Sequence, residues 1–366
     1  MARMGRTPKT AGPDWGALLG WYRANRREMP WRGAADPYAV WVSETMLQQT
    51  RVETVRGYFD RFLARFPTVG ALAAADLADV LKLWEGLGYY SRARHLHEAA
   101  RLVAARGRLP ATSAEWAELP GVGPYTAAAI ASICAGEPAP VVDGNVVRVA
   151  MRLRAAPGDG RDARTRAEIA AWLRPAIEAS GAPGDFNQAA MELGETLCAP
   201  KAPRCLLCPL RPACRAAAEG NPAAYPERRA AAPLPERRFA AFVARRGGAA
   251  LLVRRPEEGL LGGLWELPMA PVARRPGPAG ARRALAAAGL RAEALREAGE
   301  VEHVFSHFRQ RLYVWLAEDG APAEPGRPGA PAFVRPDDVA VATATRRALA
   351  LAVGASGPSG RRKRPR

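Results

Sequence analysis

No apolar run in this chain of 366 residues is long enough to cross a bilayer. The basic opening Met1-Ala2-Arg3-Met4-Gly5-Arg6 has no apolar core behind it, so it does not read as a secretory signal. Both absences lead us to expect a cytosolic protein. Cysteine is scarce: there are five, four of them crowded into residues 198–214. That pattern speaks against a disulfide framework and for a metal site in a reducing compartment. Negative charge is short as well. The 53 Lys and Arg against 36 Asp and Glu leave a net charge of +17. This suits a polyanionic partner better than an acidic protein or a membrane surface, although the general richness in Ala, Arg, Gly and Pro discounts part of the surplus. Strand-like alternation is sparse before residue 230, and no internal repeat is found.

What is present divides the chain. Residues 1–13 are polar with Pro and Gly and are expected to be disordered. From Trp15 onward the pattern is helix after helix, with Leu18, Leu19 and Tyr22 at helical spacing, and Leu77, Val80, Leu81 and Trp84 likewise behind a capping Asp76. The spacing predicts an all-α domain over 14–220. A Pro-rich stretch, 221–236, reads as a linker. Beyond it, Phe239–Arg245 and Ala249–Arg254 are β-prone runs joined at Gly247-Gly248. Leu312, Val314 and Leu316 alternate with polar and aromatic neighbours, and Pro278–Gly289 reads as a helix. An α+β domain is expected over 237–352, followed by a basic disordered tail, 353–366, with Arg361-Arg362-Lys363-Arg364 free to touch phosphates.

Three stretches carry chemistry. In Leu119-Pro120-Gly121-Val122-Gly123-Pro124-Tyr125, two glycines flank one Val ahead of an Ala-rich helix. Such a turn exposes consecutive backbone N–H groups at a helix start, where a DNA phosphate binds well; a plain helix cap is the simpler reading. After that helix, Asp143 stands alone in Val141-Val142-Asp143-Gly144-Asn145-Val146. Glu44, in Trp41-Val42-Ser43-Glu44-Thr45-Met46-Leu47-Gln48-Gln49-Thr50, lies at a mostly apolar helix start. Desolvation there would raise its pKa, while first-turn capping by Ser43 and Glu44 is the alternative. The third stretch is C-x6-C-x2-C-x5-C, formed by Cys198, Cys205, Cys208 and Cys214. From coordination chemistry alone a four-Cys zinc site is a serious rival here. Cys134, inside an apolar helix, is read as a core thiol.

Hairpin, helix, lone Asp and cysteine cluster together resemble the helix-hairpin-helix DNA glycosylases. Adding the Glu44 block, Trp84-Glu85-Gly86-Leu87-Gly88-Tyr89-Tyr90-Ser91-Arg92 and Phe305-Ser306-His307, the chain is similar to the MutY family, adenine DNA glycosylases acting on adenine opposite 8-oxoguanine. The resemblance covers residues 14–350, most strongly to 215. It implies a [4Fe-4S] cluster on the four cysteines, with Glu44 as general acid and Asp143 as the anion that stabilises the sugar cation. Tyr125 and Asn145 would support that centre, Tyr125 by orienting Asp143 or the sugar. Trp31, Arg32 and Gln188 resemble the pocket that grips adenine. Gln48 and Tyr89 look like residues that fill the stack when the base is flipped, and Gly121, Val122 and Gly123 would meet the backbone. Arg92 and Arg94 are candidate phosphate holders or a solvated helix face. Where strand-cleaving relatives carry Lys, this chain has Tyr125, which implies a monofunctional enzyme leaving an abasic site.

Gly259-Leu260-Leu261-Gly262-Gly263-Leu264-Trp265-Glu266 resembles the entry to a Nudix fold. The three glutamate positions of its metal helix are Arg283, Ala286 and Ala287, so a nucleotide hydrolase is disfavoured. The domain is read as a lesion reader, with Phe305, Ser306 and His307 meeting 8-oxoguanine. The expected partner is duplex DNA with A:8-oxoguanine or A:G mismatches, bound by a monomer on bacterial nucleoid DNA. The competing readings are a thymine mismatch glycosylase and a catalytically inactive lesion-binding homologue.

Overall fold

The computed structural model describes residues 12–33, 36–227, 233–327 and 329–355. Of the tail expected to be disordered, residues 353–355 continue a helix instead, while 356–366 and most of the N-terminal segment lie outside the described residues. Two compact units emerge: Met1–Ala73 with Glu98–Ala231, and Ala74–His97 with Ala232–Arg366.

In chain order the helices are α1 Trp15–Asn25, α2 Pro37–Leu47, α3 Val52–Arg65, α4 Val69–Ala73, α5 Leu77–Leu83, α6 Ser91–Arg106, α7 Ser113–Ala117, α8 Pro124–Ala135, α9 Gly144–Arg154, α10 Ala163–Ala179, α11 Pro183–Thr196 and α12 Arg215–Ala218. Among the described residues, the regular elements of the first unit are all helices. Its core joins Leu18 and Tyr22 of α1 to Val149 and Leu153 of α9 and Ala189 and Leu193 of α11. A second layer sets Val146 and Ala150 against Ile169, Leu173 and Ile177 of α10. Helix α8 is apolar all round and is buried continuously from Thr126 to Ser132, which is how a core helix with no solvent face behaves. Two glycines of α11 let it approach its neighbours. A Cβ on Gly184 would sit 2.9 Å from the backbone of Ile133, and one on Gly194 would sit 2.6 Å from the Asn145 Cβ. The start of the Pro-rich stretch expected to be a linker is tied down: Tyr225 O accepts from Arg152 at 3.0 Å, and Glu227 N–H donates to Gly158 O.

The second unit contains β1 Glu236–Val243, β2 Arg245–Arg246, β3 Ala249–Arg254, β4 Trp265–Glu266, β5 Met269–Pro271, α13 Pro278–Ala287, β6 Leu290–Arg291, β7 Ala294–Val304, β8 Arg309–Glu318, β9 Ala321–Pro322, β10 Ala332–Val334 and α14 Thr343–Ala355. One sheet has the order β5-β1-β8-β7, with β1 and β8 parallel; a second has β10-β3-β2 with β4 added on β3. Ala241, Val243, Leu312 and Val314 face α14, whereas Ala240, Phe242 and Trp315 face α13. Strand β8 is therefore buried on both sides, not on the single face that alternation suggested. Helix α13 carries no carboxylate. The helical unit followed by an α+β unit agrees with the fold class read from the sequence.

Segment 74–97 groups with the second unit. Glu85 accepts from Lys82 at 3.0 Å and from two nitrogens of Arg346 on α14, and Lys82 also donates to Val339 O at 2.9 Å. Arg92 and Arg94 both donate hydrogen bonds inside this unit. Arg92 is 7% exposed and donates to Gly88 O, while Arg94 donates to Gly262 O at 2.9 Å.

Candidate active site

Glu44 is not at a helix start. It lies in the last turn of α2, whose first turn is capped by Asp36, and it is 6% exposed. The capping alternative for Ser43 and Glu44 is thereby removed: Ser43 Oγ donates to Val40 O instead. Asp143 caps α9, accepting from Val146 N–H at 2.7 Å and from Asn145 Nδ2 at 2.9 Å. Capping fixes this carboxylate and does not hide it. Glu44 and Asp143 line one cavity of about 200 Å³ together with Tyr125, Asn145, Trp31, Arg32 and Gln188. All seven come from α2, α8, the α9 start, α11 and the turn before α2, and the close approach of α9 and α11 at Gly194 holds two of those walls together.

The electrostatics divide the carboxylates. Burial pushes Glu44 up to about 7; the Tyr125 hydroxyl, which donates to Glu44 Oε2 at 2.8 Å, and the Arg32 charge pull it down, and Asp143 pushes it up. Burial also raises Asp143, but the Val146 N–H, the Asn145 amide and the Arg148 charge oppose it. Tyr125 thus bonds to Glu44, whereas the resemblance had it orient Asp143 or the sugar. Asn145 continues outward: its Oδ1 accepts from Arg148 Nη2 at 2.8 Å, and Arg148 Nε donates to Cys198 O at 2.8 Å.

At the hairpin Gly121 has φ +74°, the left-handed turn only glycine takes freely, and Gly123 caps α8 in an extended conformation. Val122 departs from expectation. Its side chain is buried and its N–H donates to Leu119 O at 3.1 Å, so the turn does not present consecutive free amides. Gln48, at the end of α2, donates to Thr126 Oγ1. Cys134 is half-buried in α8 and burial pushes it up to about 11.

Cys198, Cys205, Cys208 and Cys214 are unbridged and line one cavity, walled by Leu197, Pro203 and Pro222 and by Arg152 and Arg211. Their loop packs on the core of α1, α9 and α11. Burial pushes the Cys208 thiol up to about 11, with the three other sulfurs adding to the rise. Arg152 Nη1 lies 3.3 Å from Cys198 Sγ.

In the second unit, Phe305, Ser306 and His307 form the turn between β7 and β8. Phe305 stacks on Phe308 with centroids 4.5 Å apart, and His303 meets its edge. This turn shares a cavity of about 370 Å³ with Gly88, Tyr89 and Leu260. Tyr89 has φ +48° and is 44% exposed, whereas Tyr90 is buried.

Two family models match. Residues 42–175 match the HhH-GPD superfamily base excision DNA repair protein model, and residues 240–351 match the NUDIX domain. An adenine DNA glycosylase of Mus musculus is 38% identical over 86% of this chain and 72% of its own length. The Homo sapiens adenine DNA glycosylase is 37% identical over 86% and 69%, and that of Arabidopsis thaliana is 36% identical over 82% and 56%. The chain belongs to the adenine DNA glycosylase family. It is a base excision repair enzyme in which a helical glycosylase unit precedes a NUDIX-like one.

For a member of this family, the structure gathers the sequence-derived catalytic and pocket residues into one cavity, and it sets Tyr89 beside the Phe305–His307 turn in another. Sequence reasoning missed Glu192, 3% exposed on α11, and Met191, whose sulfur lies 3.4 Å from the Tyr125 hydroxyl. Both flank Gln188 at helical spacing in an otherwise apolar run, and that spacing was the available signal.

Proposed function

We propose that the chain removes adenine opposite 8-oxoguanine or guanine as a monofunctional, monomeric enzyme on DNA in the cytoplasm. The observation that carries this is the pair of carboxylates in one purine-scale cavity, with Glu44 protonated to about pH 7. Glu44 donates its proton to adenine N7, and the C–N bond breaks with its electron pair leaving on the base. Asp143 stabilises the resulting sugar cation, and Glu44, now ionised, takes a proton from the attacking water. The product is free adenine and an abasic site. Tyr125 offers a hydroxyl and no amine, which supports hydrolysis over Schiff-base chemistry. Trp31, Arg32 and Gln188 grip the base, Gln48 and Tyr89 fill the stack, and Gly121 and Gly123 meet the backbone. Phe305, Ser306 and His307 read the opposite base.

The four cysteines fit a [4Fe-4S] cluster. The four cysteines line one cavity whose other walls carry no histidine or carboxylate. An all-thiolate donor set is the one an iron–sulfur cluster takes, and a four-Cys zinc site is its rival. When bound, the cluster would cross-link a loop that packs on the same helices as the active site. Iron and sulfide in equal stoichiometry would support this, and stoichiometric zinc would overturn it.

The deciding assay is base release from A:8-oxoguanine, A:G, T:G and A:T duplexes, followed by alkaline cleavage. Release from the first two is expected; release from T:G alone sinks the adenine assignment.

A further inference from the structure

Glu192 is a buried carboxylate that adenine removal leaves without a task. It lines the same cavity as Glu44 and Asp143. An ionised acid at that depth is costly unless paired, and Glu192 is paired twice. Its Oε1 accepts from Arg27 Nε at 2.8 Å and from the Arg27 backbone N–H at 3.1 Å, and its Oε2 accepts from Arg32 Nη2 at 2.7 Å. Burial works to raise its pKa, but the bonds from Arg32 and Arg27 outweigh burial and hold it below the ordinary value, so it is an anion near neutrality.

The two arginines differ in what else they hold. Arg27 has a second carboxylate, Glu195, at 2.5 Å. Arg32 otherwise donates to the Arg27 carbonyl and lies over the Tyr22 ring at 5.5 Å, so among the described residues Glu192 is the one carboxylate paired with it. The titratable and charged groups coupled to Glu44 are Tyr125 and the Cys134 thiol from α8, Asp143 from the α9 cap and Arg32 from the turn before α2. Arg27, Arg51, Glu192 and Glu195 complete the charged lining. A cation in that cavity favours the carboxylate form of Glu44, which is the form that cannot donate.

We propose that Glu192 is a positioning residue that pins Arg32 to the α11 wall and neutralises it, so that the acid opposite keeps its proton. Remove that carboxylate and Arg32 is left as a poorly paired cation in a cavity that still contains Glu44. The inference rests on the reading of Glu44 as the general acid.

The test is single-turnover adenine release across pH for the wild type, Glu192→Gln, Glu192→Asp and Glu44→Gln. It is paired with carbon-13 carboxyl titration of Glu44 in the free full-length protein. Glu192→Gln is expected to keep its rate at the acid end and to lose its alkaline limb about one pH unit early, giving a roughly tenfold deficit above neutrality. The Glu44 titration midpoint should fall in step, and Glu192→Asp, which keeps the charge, should restore most of both. Arg32→Gln, followed by titration alone, should move the midpoint up; no upward movement overturns the proposal even where Glu192→Gln does not fold. An equal loss of rate at every pH with an unmoved midpoint also overturns it, since that is what a merely structural carboxylate would give. Normal turnover by Glu44→Gln would instead defeat the acid assignment, and the titration would then judge the Glu192–Arg32 coupling by itself.

Discussion

Burying a carboxylate and leaving it a proton to give are one physical act at Glu44. Its folded pKa, about 7, stands above the ordinary 4.5. The raised value means that the folded chain binds the proton more tightly than the unfolded one. Stability from this group is therefore complete below about 4.5 and is lost as pH rises to about 7. We expect Glu44→Gln to abolish base release while duplex binding persists. We also expect that variant to gain stability relative to the wild type across this window, by up to roughly 3 kcal/mol, read from denaturant midpoints at several pH values. A constant difference with pH would contradict the burial argument. Gly194 makes a second residue-level prediction. Alanine there would push on Asn145 and its bond to Asp143, so Gly194→Ala should cost about 1–3 kcal/mol in stability and lower turnover. Glu44 and Asp143 were legible because each is one acid in an apolar stretch. Glu192 was not, because a helical Glu reads as surface until the arginines that hold it are known.

Elements were legible where one period dominates. α1, the Gly247-Gly248 hairpin and α13 all formed where patterning placed them, since local spacing fixes which face is apolar. Strand β8 shows the limit: alternation finds one buried face but cannot tell that helices cover both. Segment 74–97 shows another. Its sequence is helical like its neighbours, yet the ion pairs of Glu85 place it with α14. Truncation after residue 225 would strip the partners of this segment, so substitutions at Ser306 and His307 test the reader role more cleanly. Glu85→Gln should loosen 74–97, costing about 1–3 kcal/mol and speeding proteolysis within that segment. Unchanged cleavage kinetics would show that apolar packing alone secures it.

For the whole molecule, the surplus of +17 is the relevant quantity. Duplex affinity should fall at least roughly 100-fold between about 50 and 200 mM salt, for matched and mismatched duplexes alike. Discrimination between them should change far less, because it depends on groups at the two cavities and not on the phosphate count. A shallow salt slope, measured by fluorescence anisotropy, would argue that the basic residues are spent internally, as Arg92, Arg94 and Arg152 are.

The sequence alone determined the helical and α+β halves, the cysteine spacing and the identity of the two acids, because these are written in local composition and short-range periodicity. Only the tertiary structure decided that Glu44 and Asp143, ninety-nine residues apart in numbering, line one cavity. The same holds for Tyr125 serving Glu44, for Val122 spending its amide within the turn, and for Glu192 holding Arg32. Each of these is a through-space relation set by helix packing, and Coulomb and desolvation energies depend on distance and burial, which the order of residues along a chain does not contain.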